Sequence, residues 1–240
     1  MIKGRKFKAA LVISGIVLAI LLFLASPFFH IQDLVIQGNH RIASADIETR
    51  LGLTNSSNIL MFNTGTARRR VLSNLYIADV HFARELPGRL VVTVLERRPS
   101  AYVPHMGSFL ILDDTGRVLE ITGTVSEPLP LLEGLQFSRY QLGEVLDVAN
   151  AVDFDNVVLY TQLLVTHGLI YDITHINVSN PNNIRILVNY LEFHVGGIAD
   201  ADEKVRTIVE MLYNLPDASR VRGYVSMQDI RVQFNLNLLQ

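Results

Sequence analysis

IADVHFARELPGRLVVTVLERRPSAY, Ile77 to Tyr102, is the stretch on which the fold turns. Ile77, Asp79 and His81 alternate with Ala78, Val80 and Phe82; Pro87 and Gly88 supply a turn; Leu90, Val92 and Val94 then alternate with Val91, Thr93 and Leu95. Period-two alternation on both sides of a short turn predicts a β-hairpin with one buried face. The second strand ends abruptly in Glu96, Arg97, Arg98 and Pro99. Proline has no amide hydrogen to give to a ladder and keeps the residue before it extended, so the ladder ends while the chain stays stiff. Glu96 to Pro99 is therefore expected to be a domain junction, with Glu96 setting the angle between domains. An exposed ion pair there contributes only ~0 to 1 kcal/mol.

Upstream, IQDLVIQGN (Ile31 to Asn39) has the pattern of a short strand closed by a Gly-Asn turn. Ser44 is placed to cap a helix, with Asp46 in its first turn, Ile47 and Leu51 four apart, and Gly52 as the stop. Asn55 to Thr66 is polar and turn-rich around Ile59 to Phe62, and a second helix is expected over Ala67 to Leu75. The order before Pro99 is thus strand, helix, helix, strand, strand. Downstream, FLIL, DDTG and RVLEI predict a hairpin from Phe109 to Ile121, and Pro128 and Pro130 break the chain. Asp155 to Gly168 carries Val157, Tyr160, Leu164 and His167 at helical spacing, and Ala201 to Leu215 carries Val205, Ile208, Val209, Leu212 and Leu215. Strands are expected in DITHINVS, in IRILVNYLEFHVGG and in GYVSMQDIRVQFN, the last with Ile230, Val232 and Phe234 in phase. The fold class is α+β, with no internal repeat.

The chain has 240 residues, 49% of them hydrophobic, and a net charge of -2. Met1 to Phe29 has no acidic residue and holds Lys3, Arg5, Lys6 and Lys8, which leaves -6 for the rest. A mildly acidic body lacks the clustered cations that nucleic acid requires. Cysteine is absent, which excludes disulfides and thiolate chemistry. Ala9 to Phe29 is a run of 21 uncharged residues, which as a helix at ~1.5 Å per residue matches the ~30 Å bilayer core. Phe23 and Ala25 do not make the small-x-small pattern of a cleaved signal. An uncleaved anchor with a cytoplasmic amino terminus is expected from the basic flank.

Chemistry is sparse. The seven histidines, His30, His40, His81, His105, His167, His175 and His194, are scattered and form no H-E-x-x-H pair. Asp113, Asp114 and Gly116 begin like a calcium loop, but Val118, Leu119 and Ile121 occupy the following ligand positions, so a hairpin turn is the better account. Asp153 and Asp155 lie in a polar connection without a base. G-x-S-x-G, G-x-G-x-x-G and Walker loops are absent. Arg68 to Arg70 suits a solvated helix face or a basic patch for an acidic partner. No catalytic residue, cofactor or metal site is expected.

Taken in order, IQGN with its helix, NILMFN, IADVHFARELP, LVVTVLERRPSAY, FLILDDTGRVL, LPLLEG, a glycine followed at a distance by Lys204, and GYVSM resemble the FtsQ/DivIB family of bacterial cell division proteins. The resemblance covers nearly all of Phe29 to Met227. Two positions depart from the family pattern: Tyr76 stands where a proline is expected, and Ser226 where an acidic residue is common. The resemblance implies a cytoplasmic tail (1–8), a transmembrane helix (9–29), a POTRA domain of β-α-α-β-β order (30–98), a β-rich mixed domain (99–236) and a short tail (237–240). It implies a single-pass, non-catalytic divisome scaffold at the septum, with its carboxy-terminal domains extracytoplasmic. By resemblance the partners are the FtsL and FtsB/DivIC-type coiled-coil proteins, and through them FtsW and its penicillin-binding partner. Exposed sheet edges make strand addition the expected binding mode, and the resemblance places the contact on Tyr224, Val225, Ser226, Met227, Ile230, Val232 and Phe234. A POTRA-bearing protein of another envelope assembly or secretion system is the alternative. Membership of the FtsQ or the DivIB branch is left open.

Overall fold

The computed structural model describes the backbone of residues 2–149, 151–215, 221–227 and 233–238, and the side chains of 11–149, 154–215 and 222–227. The chain divides after Glu96 into two compact units.

The first unit opens with helix α1 (Ile2–Leu24). The helix stops short of the expected Phe29. Pro27 keeps Ser26 extended, with ψ at 160°, and Pro27–Phe29 form a single 3-10 turn whose Phe29 is buried. Asn58 Nδ2 donates to the Leu24 carbonyl at 2.8 Å, and Phe23, Phe28 and Phe29 pack ring on ring. Among the described residues no helix is long and apolar enough to cross a membrane.

Strand β1 (Asp33–Gln37), helices α2 (Ser44–Leu51) and α3 (Thr64–Val71), and strands β2 (Ile77–Glu85) and β3 (Arg89–Glu96) follow in the expected order. β3 lies centrally, parallel to β1 and antiparallel to β2. Its Leu90, Val92 and Val94 are buried against Ile47 and Leu51 of α2 and Ala67 and Val71 of α3. Each such aliphatic side chain stabilises the unit by about 1.5–3 kcal/mol. Gly38 turns the chain after β1 with φ +83°, and a Cβ there would strike the Val94 carbonyl, so IQGN needs its glycine. Two expected details differ. Ser44 is the first helical residue and caps nothing; its hydroxyl instead accepts from Asn39 Nδ2. α3 begins three residues early because Asn63 caps it by accepting from the Thr66 amide at 3.0 Å.

The second unit is a mixed sheet of nine strands among the described residues: β4 (Pro99–His105), β5 (Ser108–Asp113), β6 (Val118–Thr122), β7 (Leu131–Glu133), β8 (Ile173–Asn177), β9 (Ile184–Val188), β10 (Leu191–Gly196), β11 (Val221–Ser226) and β12 (Gln233–Leu238). Their spatial order is β12-β11-β10-β9-β8-β7-β4-β5-β6. Helices α4 (Ala151–Thr166) and α5 (Ala201–Asn214) cover one face. Val157, Tyr160 and Leu164 of α4 and Val205 and Ile208 of α5, read from the sequence as the inward faces, are buried there with Ile176, Ile186 and Phe193. On the other face Tyr102, Ile111 and Leu129 form a smaller cluster, and the Tyr102 hydroxyl accepts from the amides of Ser126 and Glu127.

Candidate functional site

The backbone around the carboxy-terminal edge is set by alternation. Val225 and Met227 point into the core, at 0% and 4% exposure. Tyr224 faces outward and stacks on His194 with ring centroids 5.2 Å apart. β11 runs parallel to β10, with Tyr224 opposite Glu192 and Ser226 opposite His194, and the Met227 amide continues the ladder to the His194 carbonyl at 2.9 Å. β12 then pairs antiparallel to β11, with Phe234 opposite Val225 and Asn235 opposite Tyr224.

Tyr224, Val225 and Ser226 are therefore paired on both sides, and the outermost strand is β12. This corrects their expected place at the sheet edge: of the residues named there, Phe234 lies on the outer strand, while Ile230 and Val232 fall outside the described residues. The strand also continues through Leu238, past the expected domain end at 236. Phe234, Leu236 and Leu238 alternate with Asn235 and Asn237, and that period of two was the available signal for it.

Glu96, Arg97, Arg98 and Pro99 separate into two local roles. The Glu96 carboxylate accepts from the amides of Arg41 and Ile42, each at 2.9 Å, inside the first unit. Burial works against its charge, but the amides of Arg41, Ile42 and His40 outweigh that and hold Glu96 below the ordinary carboxylate range. Its observed task is to tie the loop after β1 to the end of β3; nothing in these bonds assigns it the angle between the units. Arg97 Nη1 reaches Asp113 at 3.1 Å within the second unit. Pro99 begins β4 opposite Asp113, and Arg98 is exposed. Asp113 is fully buried and also accepts from Thr115 Oγ1 and from the amides of Thr115 and Arg117. DDTG is thus a closed hairpin turn whose carboxylate already spends its lone pairs on protein donors.

Among the described residues no three His, Asp or Glu side chains gather as a metal site. The histidines that meet carboxylates do so in single pairs: His81 with Asp79, His167 with Asp202, and His194 with Glu192. Lys204 is lowered by burial, and its Nζ donates to the Gly197 carbonyl, which also accepts from Tyr160. That carbonyl is satisfied by two donors, and the arrangement positions α5 against α4.

The β-α-α-β-β order of the first unit is that of a POTRA domain, and the second unit is a mixed sheet whose outer strand among the described residues is β12. The family profile described as "POTRA domain, FtsQ-type" matches residues 29–97. DivIB of Clostridium tetani is 24% identical over 203 residues, covering 84% of this chain and 77% of the relative. DivIB of Clostridium botulinum, strain Hall, is 25% identical over 228 residues, covering 94% and 89%. On these matches residues 29–97 form a POTRA domain of FtsQ type, and the chain as a whole is similar to the DivIB and FtsQ cell division proteins. The solved major extracytoplasmic domain of the trans isomer of DivIB from Geobacillus stearothermophilus is 18% identical, with a TM-score of 0.33, and covers 51% of this chain and 97% of that one. At that score the likeness rests on the sequence matches.

Proposed function

We propose that this protein is a membrane-anchored, non-catalytic scaffold of the bacterial divisome, which binds other division proteins through its exported units and so controls septal peptidoglycan synthesis. The observation that carries the reading is the match to DivIB over 94% of the chain. The outer strand β12 supplies a means, since a strand paired on one side offers amides and carbonyls to a partner strand. The direct partners are coiled-coil proteins of the FtsL and FtsB/DivIC type, and through them FtsW and its penicillin-binding partner.

The anchor is α1. Its uncharged helical part, Ala9 to Leu24, has 16 residues, about 24 Å at ~1.5 Å per residue. That is shorter than the bilayer core, and a short span is accommodated by local thinning of the bilayer. Leu11, Ile13, Ile16, Leu18, Leu21 and Leu22 are all more than half exposed, as a lipid-facing helix requires. The basic flank keeps the amino terminus cytoplasmic, with both units outside.

Crosslinking in membranes with the full chain as bait tests the scaffold. Recovery of the two coiled-coil partners is expected; their absence while the bait stays folded and septal overturns it. A reporter fused after Gln240 should be exported with Met1 to Phe29 retained, and a mature amino terminus near Ser26 sinks the anchor.

A further inference from the structure

Between α2 and α3 the first unit carries a groove of about 640 Å³ lined by Thr49, Arg50, Thr66, Arg69, Arg70 and Ser73. Arg50 of α2 and Arg69 and Arg70 of α3 share this lining, while the Thr49 and Ser73 hydroxyls already donate to the Ala45 and Arg70 carbonyls, so the arginines are the donors that remain. Arg50 Nε bonds Asp46 at 2.9 Å and its Nη1 bonds the Ser73 hydroxyl at 2.9 Å. That hydroxyl in turn donates to the Arg70 carbonyl at 2.6 Å. Arg69 Nη2 donates to Thr66 Oγ1 at 3.1 Å. Arg70 lies over the turn that ends α2, where Gly52 has φ +67° and any Cβ would collide with Arg70 Nη1.

The charge balance is positive. Asp46 is the carboxylate that pairs with a groove cation, and the other acid of α2, Glu48, is outside the lining. Arg68 turns away from its neighbours and is neutralised by Asp79 at 2.7 Å. Three guanidinium charges against one carboxylate leave a surplus of two. The carboxy-terminal ends of α2 and α3 offset roughly half a charge each, so about one positive charge remains uncompensated. Solvation alone suits a helix face of arginines, but it gives no reason for cations from two helices to line a shared hollow.

We propose that this groove binds a phosphate group. Its donors approach from two helices, and a tetrahedral anion with several oxygens can meet them together where a planar carboxylate engages one fork at a time. The group can belong to an anionic lipid headgroup or to a soluble phosphate. The lipid source rests on the anchor proposed above, because α1 belongs to the same unit, with its last turn bonded to Asn58.

The test uses the full chain in phosphatidylcholine nanodiscs, titrated with inorganic phosphate and glycerol phosphate at constant ionic strength. Binding is read by phosphorus NMR and by amide exchange of α2 and α3. Variants are R69Q with R70Q, R69Q alone in case Arg70 is needed for the α2 turn, and R89Q on β3 as a control of equal charge outside the groove. Phosphate is expected to protect the α2 and α3 amides, with affinity lowered about tenfold or more in the double variant, lowered measurably in R69Q, and unchanged in R89Q. Replacing part of the lipid by phosphatidylglycerol separates the sources: protection without added phosphate assigns the headgroup, and protection by soluble phosphate alone assigns the free anion. Equal phosphate binding by wild type and both groove variants overturns the site, as does no binding, or binding of an acidic peptide without phosphate. Failure of the chain to enter nanodiscs overturns the anchor; the phosphate titration, then run in detergent, still decides the groove.

Discussion

Glu96 is bonded to a loop more than fifty residues upstream, and its protonation state therefore matters to the first unit's stability. Its folded pKa is depressed: burial opposes the charge, and the amides of Arg41, Ile42 and His40 more than offset it. A depressed carboxylate contributes stability that is present above the unfolded value, near 4.5, and is lost as pH falls through the lower folded value. Replacing Glu96 with Gln keeps one acceptor and the shape but removes the charge, and should cost about 1–2 kcal/mol at neutral pH. Denaturant unfolding of the two proteins should show that gap closing as pH drops below 4.5; a gap independent of pH would mean that the charge is not what holds the loop. In sequence Glu96 is only the polar end of a strand, since nothing local announces a partner at Arg41 and Ile42. The neighbouring Arg97 is equally silent about Asp113, because both bonds are made by the fold and not by spacing.

At the scale of the strand, β11 and β12 should answer proline differently. Every amide of a strand paired on both sides is directed at one neighbour or the other, so proline at Tyr224, Val225 or Ser226 should destabilise the second unit wherever it is placed. Along Gln233–Leu238 only alternate amides reach β11, and a scan there should show a period of two. Inward positions should lower the melting temperature; outward ones should leave it unchanged and abolish partner binding. Fold-preserving prolines that all leave binding intact would move the interface elsewhere, with β1 the next candidate. The elements themselves were largely readable. The hairpin around Pro87, the order of the first unit and the buried faces of α4 and α5 follow from periods of two and of three to four, where burial is local and repeated. What escaped has non-local causes. The three-residue β7 is too short to show a period, and the place of β11 inside the sheet depends on a parallel pairing with β10 that alternation does not encode. α1 stops at Leu24 because Pro27 acts through Ser26, which an uncharged run does not register.

At the scale of the molecule, the division after Glu96 implies two cooperative units, because each has a core of its own. Leu90 is fully buried with Ile47, Val71 and Val92 in the first unit, and Phe193 with Tyr160, Ile186 and Ile208 in the second. Removing either side chain leaves a cavity that costs about 3–5 kcal/mol, and the loss should stay in the unit where the cavity lies. The full chain in detergent, followed by calorimetry and by amide exchange resolved along the sequence, should show Leu90→Ala loosening residues before Glu96 while those after Arg97 keep their protection. Phe193→Ala should do the reverse. If each substitution instead lowers a single common transition, with protection lost along the whole chain, the units are energetically coupled. Independence has a functional consequence: a partner that stabilises the second unit by binding β12 should raise that unit's transition alone, so the response of the first unit to the same partner measures how far binding at one end of the chain is felt at the other.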